Sequence, residues 1–204
     1  MNDRPAAAAK AAREPRYYFE DFPPGQVREY GSLEVTREAV LAFAADFDPQ
    51  PFHLDDDAAA ASLFGRLAAS GWHTCAMTMR ILCDGYLLDS ASLGSPGIDK
   101  LRWVKPVYPG DTLSVRVEVM EARPMASKPE LGLVRSTTQA LNQHRDVVLT
   151  MEGWGIFRRR ARLGDATTSA DGQAPDASGG DASAGSAVPA STTDADTRAG
   201  STGT

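Results

Sequence analysis

The strongest constraint on the fold is a change of hydrophobic period near residue 100. Residues 72–88 read as one helix, apolar on most sides: Trp72, Cys75, Ala76, Met77, Met79, Ile81, Leu82, Cys83, Tyr86 and Leu87. The only charges on or bordering it are Arg80, Asp84 and Asp89. A helix that is hydrophobic nearly all round is expected to be buried. From residue 101 the apolar positions alternate instead. Leu101 and Trp103 open the pattern, and Leu113, Val115, Val117 and Val119 continue it. Two more strands, about 131–141 and 146–157, flank the polar run Asn142-Gln143-His144-Arg145, a hairpin signal. Gly94–Gly97 and Pro124–Glu130 read as loops. A buried helix followed by consecutive half-polar strands predicts an α+β domain, with a curved antiparallel sheet wrapped around helix 72–88.

Upstream, Phe22-Pro23-Pro24-Gly25 marks a turn, and a short strand carries Leu33 and Val35. Thr36 is an N-cap candidate. Val40, Phe43, Ala44 and Phe47 follow the i, i+3, i+4, i+7 rule, so residues 37–47 form an amphipathic helix. Asp48-Pro49-Gln50-Pro51 stops it, because a residue before proline disfavours the helical region. Asp55–Ser62 is a further short helix candidate.

Composition sets the boundaries. Residues 165–204 contain no Leu, Ile, Met, Phe, Tyr or Trp. Such a segment cannot bury enough apolar surface to offset its ordering entropy. The expected division is a flexible segment 1–14, a folded domain 15–162 and a disordered tail 163–204. The tail also holds most of the net charge of −6, which leaves the folded part near neutral. That argues against non-specific nucleic-acid binding, which needs a basic surface to replace counterions. No apolar run is long enough to span a membrane, and the first residues show no apolar leader. Cys75 and Cys83, eight helical residues and so about 12 Å apart, are too distant for a disulfide. Buried free thiols fit a reducing, cytoplasmic setting.

The chain has no G-x-S-x-G, no phosphate-binding glycine loop and no C-x-x-C. What stands out is Asp48-Pro49-Gln50-Pro51-Phe52-His53: a carboxylate and an imidazole five residues apart, with two prolines between them. Proline fixes φ, so this bend has few conformations. Acid–base catalysis needs that rigidity. The plainer alternative is that Asp48 caps a turn and His53 is a packed polar residue. The second segment is Ser70-Gly71-Trp72 at the start of the buried helix. Unpaired N–H groups there suit an oxyanion, although Ser70 as a simple N-cap, with Gly71 fitting the turn, is the simpler reading of the segment alone. His53 with Asp55, Asp56 and Asp57 has no metal-ligand spacing, so no metal is expected. Arg158-Arg159-Arg160 with Arg162 could meet phosphates, but such runs are more often solvated.

These residues resemble the MaoC-like dehydratase family, which includes the (R)-specific enoyl-CoA hydratases. The family carries D-x-N-P-x-H and then a small-residue/Gly pair opening the central helix. Asp48 to His53 and Ser70-Gly71 match that order, and Phe22–Gly25 and Pro106–Asp111 match further landmarks. The likeness runs over about residues 17–160. It implies the hotdog fold and a carbon–oxygen lyase of fatty acid metabolism. The implied reaction interconverts trans-2-enoyl and (R)-3-hydroxyacyl thioesters. Asp48 and His53 would be catalytic, the Gly71 N–H the oxyanion donor, and Gln50, Ser70 and Trp72 substrate-binding. No cofactor is implied, since CoA or an acyl-carrier protein is only the substrate's carrier. A homodimer is implied, with no nucleic-acid or membrane partner. Two departures stand out. Gln50 replaces the family's usual Asn, and Ser70 replaces a frequent His. The competing readings are a hotdog thioesterase and a non-catalytic acyl-binding subunit. The first would need an acid near the helix start, where the chain has none, Asp84 lying about three turns in.

Overall fold

The computed structural model describes residues 14–160. The expected tail 163–204, and all of the expected flexible start except Glu14, lie outside the described residues. Five strands and three α-helices follow in chain order. They are β1 Val27–Glu34, α1 Arg37–Phe47, α2 Asp56–Ala60, α3 Gly71–Gly85, β2 Ser92–Trp103, β3 Thr112–Met125, β4 Lys128–Leu141 and β5 Val147–Arg158. The strands form one antiparallel sheet in the order β1-β3-β4-β5-β2, so the two earliest strands are its two edges.

Local chemistry explains most boundaries. The Thr36 hydroxyl accepts from the Ala39 N–H and caps α1. Asp55 caps α2 by accepting from Ala58 N–H. Inner residues of β1 and β3 meet the buried side of α3, where Met77, Ile81 and Leu82 join Val35, Val40, Leu113, Val115 and Leu149 in the core. Each such aliphatic side chain contributes about 1.5–3 kcal/mol on burial. A second cluster, Phe22, Val119, Val134 and Phe157, closes the far end. This sheet wrapped on one long helix is the hotdog fold.

Two loop expectations are overturned. Gly94–Gly97 lies inside β2, which pairs with β5 from Ser92↔Phe157 to Trp103↔Leu149 through three register shifts. An edge strand is bonded on one side only, so it tolerates Pro96 and the irregular glycines. Pro124–Glu130 likewise belongs mostly to β3 and β4, which leave only Ala126 and Ser127 as the turn. Beyond Val119 no β1 residue pairs with β3, so the missing N–H of Pro124 interrupts no ladder on that side.

A third difference concerns α3. It is not buried all round. His73, Thr74, Met77, Thr78, Ile81 and Leu82 face the interior, while Trp72, Ala76 and Met79 are exposed. One sheet covers one side of a helix, and the apolar residues on the other side are left in contact with solvent. Cys75 and Cys83 are free and half-buried.

Candidate active site

Asp48 ends α1. Its N–H closes the last helical bond, to the Ala44 carbonyl, and the backbone then turns away at φ −150 and ψ 65. Gln50 N–H donates to the Asp48 carbonyl, and Pro51–His53 follows as one 3-10 turn. The two prolines thus lead the chain from helix end to tight turn with little freedom, as the motif predicts. The result is close approach: His53 Nε2 lies 3.6 Å from Asp48 Oδ2.

Each group is held from outside the pair. His53 is 4% exposed, and its Nδ1 lies 2.8 Å from the Ala68 carbonyl oxygen. A carbonyl only accepts, so Nδ1 carries the proton, and in the neutral ring Nε2 presents its lone pair toward Asp48. Phe52 and Phe64 pack against the ring at 4.7 and 5.6 Å. The Ser70 hydroxyl donates to Asp48 Oδ2 at 2.7 Å, and Gln50 Nε2 donates to Oδ1, also at 2.7 Å. These bonds, Ser70 first and then Gln50, hold the Asp48 carboxyl below the usual carboxylate range. Asp48 is therefore a carboxylate at neutral pH. The same sign applies to stability: this contribution is present above the ordinary carboxylate pKa and is lost as pH falls below it.

The fully buried Ser70 is also the N-cap of α3, where its oxygen accepts from Trp72 N–H at 3.2 Å. Ser70 thus ties the mouth of α3 to the carboxylate. Gly71 is the first residue of that helix, so its N–H has no intrahelical acceptor. The structure therefore brings Asp48, Gln50, His53, Ser70 and Gly71 together. Gln50 and Ser70 both spend their side chains on Asp48. Trp72 instead points outward, 59% exposed, with its ring edge-to-face on Trp103 at 5.4 Å. The aspartates beside His53 do other work: Asp55 caps α2 and Asp56 pairs with Arg37.

Two neighbours of the site were not legible in the sequence. One is Ala68, which acts only through its carbonyl and so leaves no side-chain signal. The other is Trp103, at the end of β2, whose Nε1 donates to the Gly71 carbonyl at 2.8 Å. Its indole lies so close to Gly71 that a Cβ there would sit 2.6 Å from the ring, which is why the helix opens on glycine. His73, in the first turn of α3, is buried and stacks on Phe43 at 4.6 Å, and burial pushes its pKa down.

A cavity of about 260 Å³ lies between the second half of α3 and the inner face of the sheet. Tyr30, Met79, Tyr86, Thr138, Met151 and Phe157 are among its walls. Met79 is eight residues beyond Gly71, about 12 Å along the axis.

Comparison with known proteins places the chain in a family. The family model described as MaoC like domain matches residues 20–141. A protein of Bacillus subtilis, YdeM, described as uncharacterized, is 33% identical over 126 residues, covering 61% of this chain and 87% of its own. The crystal structure of a MaoC-like dehydratase from Rhodospirillum rubrum superposes with a TM-score of 0.66 at 41% identity, covering 71% of this chain and 99% of that one. An (R)-hydratase from A. caviae involved in PHA biosynthesis superposes at 0.54 with 27% identity, over 67% of this chain and 97% of its own.

Proposed function

Because the chain belongs to the MaoC-like dehydratase family, we propose that it is a hydratase of acyl thioesters, adding water reversibly to a trans-2-enoyl thioester to give the (R)-3-hydroxyacyl product. The observation that carries this reading is the 3.6 Å approach of His53 Nε2 to Asp48 Oδ2, with Asp48 bonded to the cap of α3. Both facing atoms are acceptors when His53 is neutral. A water between them donates a hydrogen to each and is left with its lone pairs free for attack on C3. Asp48 takes the proton as the C3–O bond forms, and the Asp48–His53 pair returns a proton to Cα. Charge develops on the thioester oxygen in between. The free N–H of Gly71 and the positive end of α3 stabilise it, worth about 3–4 kcal/mol for a donor of this kind. The acyl chain then extends along α3 toward the cavity behind Met79. CoA or an acyl-carrier protein serves as the carrier, and no cofactor takes part.

The test is a panel of trans-2-enoyl-CoA substrates of increasing length. Loss of enoyl absorbance without release of free thiol is expected. Thiol release from saturated acyl-CoA would replace this reading with a thioesterase, and no turnover with either would replace it with a binding subunit.

A second copy of the chain is the proposed partner. Trp72 and Met79 on α3 are exposed at 59% and 43%, and Ile98 and Trp103 on the edge strand β2 at 54% and 48%. Joining two β2 edges would satisfy their unpaired backbone groups and cover this apolar face. Sedimentation is expected to give twice the chain mass, and Met79→Glu to shift the population toward one copy. A wild-type chain of single mass at micromolar concentration would end the dimer proposal.

A further inference from the structure

Three hydrogen bonds at the site form one directed chain, and a fourth meets the carboxylate at its end. Trp103 Nε1 donates to the Gly71 carbonyl at 2.8 Å. That carbonyl belongs to the peptide whose N–H, that of Trp72, donates to Ser70 Oγ at 3.2 Å. Ser70 Oγ donates to Asp48 Oδ2 at 2.7 Å. Gln50 Nε2 completes the set on Oδ1. The three donors in series, Trp103, Trp72 and Ser70, all point the same way, from the exposed indole toward the carboxylate. An amide whose carbonyl accepts a hydrogen bond becomes a better donor at its N–H, and a hydroxyl that accepts becomes a better donor in turn. We propose that Trp103 is a positioning residue for the hydratase reaction, acting on Asp48 through the Gly71–Trp72 peptide and the Ser70 hydroxyl.

Three further features suit Trp103 to this task. It sits at the end of β2, paired to Leu149, so its backbone belongs to the sheet while its ring rests on the start of the helix. Its ring fills the space above Gly71 that any side chain would otherwise occupy. Its N–H reaches a carbonyl in the first turn of α3, the same turn that offers the free N–H of Gly71. A shift of β2 is thereby felt at the helix mouth and at the carboxylate together. The titratable group facing Asp48 is His53, 3.6 Å away, and it is present in every variant compared.

The proposal rests on the hydratase reading for its effect on turnover, but not for its effect on Asp48 itself. Trp103→Phe keeps an aromatic ring on β2 and removes the N–H together with the pyrrole half of the indole, so the Ser70→Ala background serves to separate loss of the bond from loss of packing. The titration midpoint of Asp48, read from its carboxyl carbon by NMR in full-length protein, is expected to rise by about 0.1–0.6 pH unit. The acid limb of kcat for enoyl-CoA hydration moves in the same direction, and KM stays within about twofold. In a Ser70→Ala background, where the chain is already cut, Trp103→Phe moves the midpoint no further. In the unsubstituted protein the Trp103 indole N–H resonance shifts with the Asp48 titration, and it loses that inflection in Asp48→Asn. This measurement needs no folded Trp103 variant. An unmoved Asp48 midpoint in Trp103→Phe, a shift that persists undiminished without Ser70, or an indole resonance blind to Asp48 each overturns the proposal. A moved midpoint in a protein that hydrates no enoyl thioester leaves the relay standing and removes the hydratase reading instead.

Discussion

Asp48→Asn is expected to lower kcat for enoyl-thioester hydration by about 10²–10⁴-fold, the range spanned by positioned acid–base groups. The substitution keeps the shape of the side chain and removes its proton affinity. It also disturbs the hydrogen bonding. The carboxylate accepts from Ser70 on one oxygen and from Gln50 on the other. An amide offers one oxygen, so one of those donors would face an NH₂ group. KM is expected to change little, because neither Asp48 oxygen is needed to hold the acyl chain. Loss of enoyl absorbance under saturating substrate gives the number, and binding of a saturated acyl-CoA by calorimetry shows that the site still forms. Hydration at an undiminished rate in Asp48→Asn would remove this carboxylate from the chemistry. The same assay run against pH adds a sign. The carboxyl is held below its ordinary range, so wild-type activity should survive acidification through that range and fail only beneath it.

The second large effect concerns stability. Gly31 lies in β1 at φ +75, at the register shift between Tyr30 and Leu33. A Cβ added there would run into the side chain of Ile81, which is 3% exposed on α3. Gly31→Ala therefore combines left-handed backbone strain with overpacking of the core. Together these cost about 2–4 kcal/mol, a fall of roughly 4–16 °C in Tm for a domain of this size. Gly25→Ala separates the two causes. Gly25 has φ +83 but no atom within 4 Å of the added carbon, so it carries the strain alone. Differential scanning calorimetry should rank the losses as Gly31 well above Gly25. Equal losses would mean that the contact with Ile81 relaxes freely.

The sequence was most legible where chemistry is local. The N-cap at Thr36, the stop at Asp48-Pro49 and the strand pattern of Leu113 to Val119 depend on neighbours within a few residues, and α1, the 3-10 turn and β3 followed. The proximity of Asp48 and His53 was legible for the same reason, since five residues with two prolines can hardly separate the ends. What depended on distant partners was not. Nothing within Gly94–Gly97 shows that β5 will accept it as a strand, because pairing is decided by residues about 60 positions later. Pro124 reads as a breaker until the strand beside it is known to end. The exposed side of α3 looked like core because apolar periodicity records which residues seek burial, not whether this chain alone supplies the cover. The bond from the Gln50 amide back to Asp48 likewise left no mark in the sequence.

The order β1-β3-β4-β5-β2 bears on how the molecule assembles. The centre of the sheet is a meander of two hairpins, β3-β4 and β4-β5, whose contacts are close in sequence. Such contacts close small loops and form early. The flanking strands come from the beginning of the domain and must dock onto a template made at its end. A ribosome releases Asp48 and His53 long before the last strand exists, and β2, with Trp103 at its tip, has no partner until β5 is out. The reactive pair is thus synthesised well before the strand that carries Trp103, and the helix mouth it faces gains that tie only when β2 finds β5.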